Sequence, residues 1–130
     1  MTLYDSSVLI DYLDGKSETV AYVEDHHDRR AVAPQLVVFE VYQGEVFTAG
    51  PADFEAVDRA LSWVDVVEAP TGAARSAAEV QATLHERGDA LAPRDAFIAG
   101  MADRLGERLA VADADFDVAG LTDVLDVDFV

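Results

Sequence analysis

Five short apolar runs, each too brief to make a stable helix, alternate along this chain with longer segments of helical periodicity. Residues 2–5, 31–33, 63–68, 109–112 and 124–127 read as strands, on β-branched content, alternation or compact apolar character. Helical segments fall between them over 8–13, 18–28, 35–49, 52–62, 72–87 and 94–105. Their ends carry ordinary signals. Ser6, Ser7 and Thr71 stand where N-caps belong, Pro34 suits the first residue of a helix, and Gly15, Gly88 and Gly106 stand where helices stop. This alternation predicts an α/β fold with a central, mostly parallel sheet of four or five strands flanked by helices. The 130 residues fit one domain, 1–130, and no repeat, linker or low-complexity tract divides them.

Composition narrows the chemistry. Hydrophobic residues make up 51% of the chain, enough for a sizeable core. There is no cysteine, which excludes a disulfide framework, a thiolate metal site and a thiol nucleophile. No apolar stretch reaches the ~20 residues of a membrane span, and the N-terminus carries no signal-peptide pattern, so a cytoplasmic protein without a membrane partner is expected. The formal net charge is -17, from 26 acids against 9 bases, and Lys16 is the only lysine. Such a surface repels phosphate in dilute buffer. In molar salt the Debye length falls to about 3 Å and that repulsion is largely screened. An acidic, lysine-poor surface over an ordinary core is read as a halophilic trait, which removes most of the objection to a nucleic-acid substrate.

Most of these acids belong on solvated surface, but four sit in unusual places. Asp5 ends an apolar strand and Asp113 follows another. Asp95 opens the segment Asp95-Ala96-Phe97-Ile98-Ala99-Gly100-Met101-Ala102, just after Pro93. Glu40 lies inside the nearly continuous apolar run Leu36-Val37-Val38-Phe39-Glu40-Val41-Tyr42. Taken singly, Asp5 and Asp113 read as helix caps, Asp95 as a charge serving a helix N-terminus, and Glu40 as part of a narrow solvent stripe with Gln43 and Gly44. Taken together they suggest one site. In a parallel sheet the carboxyl ends of strands and the starts of helices share an edge, and ligands bind there. Converging carboxylates tolerate one another around a divalent cation, and hard oxygen ligands suit Mg²⁺ or Mn²⁺. Ions of that kind activate water and stabilise in-line displacement at phosphorus. Asp115 and Asp117 are secondary candidates from the same turn. An EF-hand starting at Asp113 is excluded, because Val118 and Val124 stand where that loop needs glycine and a bidentate glutamate.

The segment Leu3-Tyr4-Asp5-Ser6-Ser7-Val8-Leu9-Ile10-Asp11-Tyr12-Leu13 resembles the first motif of PIN-domain ribonucleases, specifically VapC-type toxins of toxin–antitoxin pairs. Val38-Phe39-Glu40-Val41-Tyr42-Gln43-Gly44 resembles the second motif, Pro93-Arg94-Asp95-Ala96-Phe97-Ile98-Ala99-Gly100-Met101-Ala102 the third, and Val111-Ala112-Asp113-Ala114-Asp115-Phe116 the last. The resemblance spans essentially the whole chain, with the motifs in order. It implies Asp5, Glu40, Asp95 and Asp113 as catalytic acids, with Asp5, Asp95, Asp113 and Asp115 as metal ligands and Ser7 in support. It also implies Mg²⁺ or Mn²⁺, endonucleolytic cleavage of RNA, a homodimer and a small cognate antitoxin. Ala112 departs from the polar residue common at that position in the family.

Three alternatives frame the reading. A housekeeping RNA-processing nuclease would use the same site. An aspartyl-phosphate phosphatase needs a second aspartate where Ser7 stands and a downstream lysine, and Lys16 lies in the wrong region for it. A non-catalytic acidic binding module would carry these acids for solubility alone. The substrate-binding residues are not defined by the sequence, although Arg94 and Arg104 are candidates for phosphate contact or for surface charge balance. Phe47, Phe54 and Leu61 either form the dimer surface or fill the core.

Overall fold

Every strand runs parallel to its neighbours in the computed structural model, which describes residues 1–130. The five strands are β1 (Thr2–Tyr4), β2 (Ala31–Pro34), β3 (Val64–Val67), β4 (Arg108–Val111) and β5 (Val127–Phe129). Their order across the sheet is β3-β2-β1-β4-β5. The helices are α1 (Ser6–Leu13), α2 (Ser17–Asp25), α3 (Gln35–Val46), α4 (Phe54–Ala60), α5 (Ala73–Glu86), α6 (Pro93–Leu105) and α7 (Leu121–Val124). Connections from β1 lead outward to β2 and β3, and the chain then returns through α5 and α6 to β4 on the other side of β1. The reversal between β1 and β4 makes their carboxyl ends the switch point at which open α/β sheets bind ligands.

Twenty-six buried apolar residues form one continuous cluster, so the chain has a single core. β1 and β4 are its centre, with Leu3, Leu109, Ala110 and Val111 wholly enclosed. The longest packed contact joins α5 to α6. A Cβ added at Gly100 would lie 2.3 Å from the Ala77 Cα, so only glycine permits the approach. Pro93 starts α6, and Gly106, at φ +68°, ends it in the left-handed conformation that glycine adopts without strain. No helix is long and apolar enough to cross a membrane.

The structure corrects several boundaries, each for a local reason. Asp5 rather than Ser6 or Ser7 caps α1. Gly72 rather than Thr71 precedes α5, without a side-chain cap. Pro34 is the last residue of β2, because its register with Val67 continues the β2–β3 ladder to that point. Helix α2 stops at Asp25, where the His26 ring stacks on Tyr22 and its Nδ1 lies 2.7 Å from the Tyr22 carbonyl oxygen. The final strand is 127–129 rather than 124–127, because β4 pairs Leu109 with Val127 and Val111 with Phe129. The residues before it form the one-turn helix α7, which buries Leu121. Trp63 falls outside β3 and instead packs edge-on against Tyr4 and Tyr12.

Helix α3 also differs from its appearance in the sequence. Only Val37 and Val41, one turn apart, are fully buried. Leu36 and Phe39 face solvent. Leu61 is in the core, which removes it from any association surface, whereas Phe47 and Phe54 are exposed.

Candidate active site

Tyr4 is the last residue of β1, so Asp5 emerges at the carboxyl edge of the sheet. Its backbone N–H donates to the Ala110 carbonyl at 3.0 Å, which fixes it against β4. The side chain is only 2% exposed, and its two oxygens have separate tasks. Oδ2 accepts from the Ser7 hydroxyl at 2.6 Å and the Ser7 N–H at 3.3 Å, and so caps α1. Oδ1 faces away from the helix and accepts from Arg94 Nη1 at 2.7 Å. One carboxylate therefore both caps α1 and pairs with the Arg94 guanidinium.

Asp95 lies in the first turn of α6, its carboxyl 9% exposed. Burial pushes its pKa above the ordinary carboxylate value. The Arg94 hydrogen bond and charge pull it back, and the negative charges of Asp5 and Asp113 push it further up. Glu40 reaches over from the second turn of α3 and is 30% exposed, so it avoids the full cost of burial. Asp113 leaves the end of β4 and caps a 3₁₀ turn, Ala114–Phe116, by accepting from the Asp115 N–H at 2.9 Å. The Ser7 hydroxyl ties the two strand ends together. It donates to Asp5 and accepts from the Ala112 N–H at 3.0 Å.

The structure therefore brings Asp5, Glu40 and Asp95 onto one central group, with Asp113 beside them. That group is the Arg94 guanidinium. Nε donates to Glu40 at 3.2 Å, Nη1 to Asp5 at 2.7 Å and Asp95 at 3.0 Å, and Nη2 to Glu40 and to the Ser6 hydroxyl at 3.0 Å. Burial opposes the arginine charge, but the Glu40 bond, the Asp5 charge and the bonds to Asp5 and Asp95 outweigh it and raise its pKa further. No three His, Asp or Glu side chains stand close enough together to hold a metal ion directly, and the Arg94 guanidinium lies among the carboxylates of Asp5, Glu40 and Asp95.

Sequence reasoning missed this role for Arg94. The available signal was a cation in the first turn of a helix, where the macrodipole disfavours it unless acids surround it. Arg104 is a different case. Its Nε donates to the Thr71 carbonyl at 3.1 Å, at the opposite end of α6 from the acids. Asp115 and Asp117 are both exposed, and Asp117 joins Ala112, Phe129 and the half-buried Asp113 in lining a cavity of about 200 Å³.

The donor set suits a hard divalent cation. All four carboxylates offer oxygen, two are largely withdrawn from water, and no sulfur or imidazole competes.

The family model described as PIN domain matches residues 2–121. Solved structures share the fold at low identity. A DNA-bound VapBC from Salmonella typhimurium matches with a TM-score of 0.79 at 18% identity, over 98% of this chain and 96% of that one. VapBC2 from Rickettsia felis, bound to a DNA fragment from its promoter, matches with a TM-score of 0.76 at 12% identity, over 99% and 98%. FitAcB from Neisseria gonorrhoeae matches with a TM-score of 0.79 at 18% identity, over 98% and 97%. No curated protein matches the chain significantly by sequence.

Proposed function

The chain belongs to the PIN-domain family, and from that premise we propose that it is a Mg²⁺- or Mn²⁺-dependent endoribonuclease, the toxin of a type II toxin–antitoxin pair. The observation that carries the reading is the convergence of Asp5, Glu40 and Asp95 at the carboxyl edge of the sheet, where the chain paths from β1 and β4 diverge. Hydrolysis of a phosphodiester needs positive charge at the phosphate and an activated water. A bound divalent ion supplies both.

Asp5 and Asp95 are the buried ligands for that ion, with Asp113 alongside and Asp115 able to contribute from the adjoining turn. Glu40 approaches from the solvent side, where a water and the RNA backbone enter. Ser7 holds the Asp5 carboxylate in one orientation, so the site is pre-organised by the same bonds that start α1. The toxin role draws on the fold shared with solved VapBC and FitAB complexes. The exposed side chains Leu36, Phe39, Phe47 and Phe54 offer an apolar surface for an antitoxin and for self-association.

Two experiments test the reading. Asp5→Asn and Asp95→Asn are each expected to lower Mg²⁺-dependent RNA cleavage by ~10³-fold or more with the circular dichroism spectrum unchanged. Unchanged cleavage in both variants would refute the site. Mn²⁺ is expected to raise the melting temperature, since an ion bound only by the native state must stabilise it. No metal effect would favour a non-catalytic module.

A further inference from the structure

We propose that Arg94 is an internal counter-cation which the divalent ion must displace, so that this one side chain sets the metal affinity of the site. The inference rests on the metal-centre reading above. All five guanidinium N–H groups are engaged: one at Nε on Glu40, two at Nη1 on Asp5 and Asp95, two at Nη2 on Glu40 and Ser6. A fork saturated in this way acts as the central cation itself, not as a rim charge waiting for phosphate. It also stands among the carboxylate oxygens an ion would need.

Charge and access decide which group yields. Three carboxylates around one guanidinium leave a formal excess of two negative charges, and a divalent ion in its place leaves one. The Asp5 side chain is 2% exposed and held by its cap, so it cannot withdraw. The Arg94 side chain is 28% exposed and ends a flexible stem, so it can leave by the solvent side. Its departure breaks charge-assisted bonds to three acids, and metal binding must compensate for them. The ion thus binds more weakly to this chain than the carboxylates alone would allow.

The test compares the full-length chain with Arg94→Gln, which removes the charge, and Arg94→Lys, which keeps the charge but loses the fork. Titration with MnCl₂ alone, followed calorimetrically, is expected to give an affinity on the order of tenfold or more higher in Arg94→Gln. Arg94→Lys is expected to fall between. In melts, Arg94→Gln in EDTA should unfold below the parent chain, and Mn²⁺ should raise its melting temperature by more than it raises the parent's. Should Arg94→Gln fail to fold without metal, Arg94→Lys still gives the comparison. Equal or weaker Mn²⁺ affinity in the variants overturns the inference and leaves the metal centre standing. Failure of all three proteins to bind Mn²⁺ overturns the metal centre itself, and this inference with it.

Discussion

Two polar clusters lie against the sheet, and they are built on opposite principles. At the carboxyl edge, Asp5, Glu40 and Asp95 surround a single arginine. On the sheet face beneath α2, Asp128 of β5 accepts from the Tyr22 hydroxyl at 2.6 Å and from Arg108 Nη1 at 3.2 Å. Tyr4 packs edge-on against Tyr22 there. The second cluster is balanced, with one acid, one base and a hydroxyl, and it ties α2, β4 and β5 into the fold. The first carries three acids on one base, an excess that burial makes costly. The contrast indicates where to look for chemistry in a chain with so many carboxylates: imbalance under burial, not acid content.

Three substitutions or conditions separate the clusters, beginning with the largest effect. Ser7→Ala removes the hydroxyl that orients Asp5 and orphans the Ala112 N–H. It is expected to reduce cleavage by roughly 10- to 100-fold and stability by about 1–3 kcal/mol. Denaturant melts beside a cleavage assay measure both. A loss of stability alone would make the carboxyl-edge cluster as structural as the other. Asp128→Ala leaves the Tyr22 hydroxyl and Arg108 without their acceptor and is expected to cost about 1–3 kcal/mol, with cleavage and Mn²⁺ affinity unchanged. A change in either function would show that the clusters are coupled.

The smallest effect is alkaline. Burial, then the negative Asp128, pushes the Tyr4 hydroxyl up to about 12, and burial with the Asp128 hydrogen bond raises Tyr22 further. Tyrosine in an unfolded chain loses its proton near about 10. The native chain therefore holds more protons than the unfolded one above that pH. Stability from these groups is fully present below about 10 and declines as pH rises toward the folded values. Urea midpoints measured across pH 9 to 12 should fall less steeply in Tyr22→Phe than in the parent; identical slopes would locate the alkaline transition elsewhere.

How much of this was legible in the sequence varies from residue to residue. The alternation of apolar runs with helical periods indicates the parallel sheet, and Pro93 and Gly106 bracket α6 because those signals act within the backbone itself. Asp5, Asp95 and Asp113 could be seen as neighbours, since each follows a strand or opens a helix and topology brings such positions to one edge. The role of Arg94 could not be read so directly, because it depends on Glu40 arriving from a helix 54 residues earlier. Likewise Leu36 and Phe39 look like core in a linear run, and only the three-dimensional choice of Val37 and Val41 as anchors turns them outward. The shift of the last strand to 127–129 reflects pairing with β4, which no local pattern specifies.

The close seat of Gly100 against Ala77 has a mechanical meaning for the site. Helix α6 carries Arg94 and Asp95 at its tip, about one and a half turns from that seat. A helix resting on a neighbour's backbone has no soft side chain to compress, so its height over α5 is set like a shaft against a hard stop. The tip then inherits that tolerance, and a single methyl group added at position 100 would mis-set both the acid and the arginine without touching either.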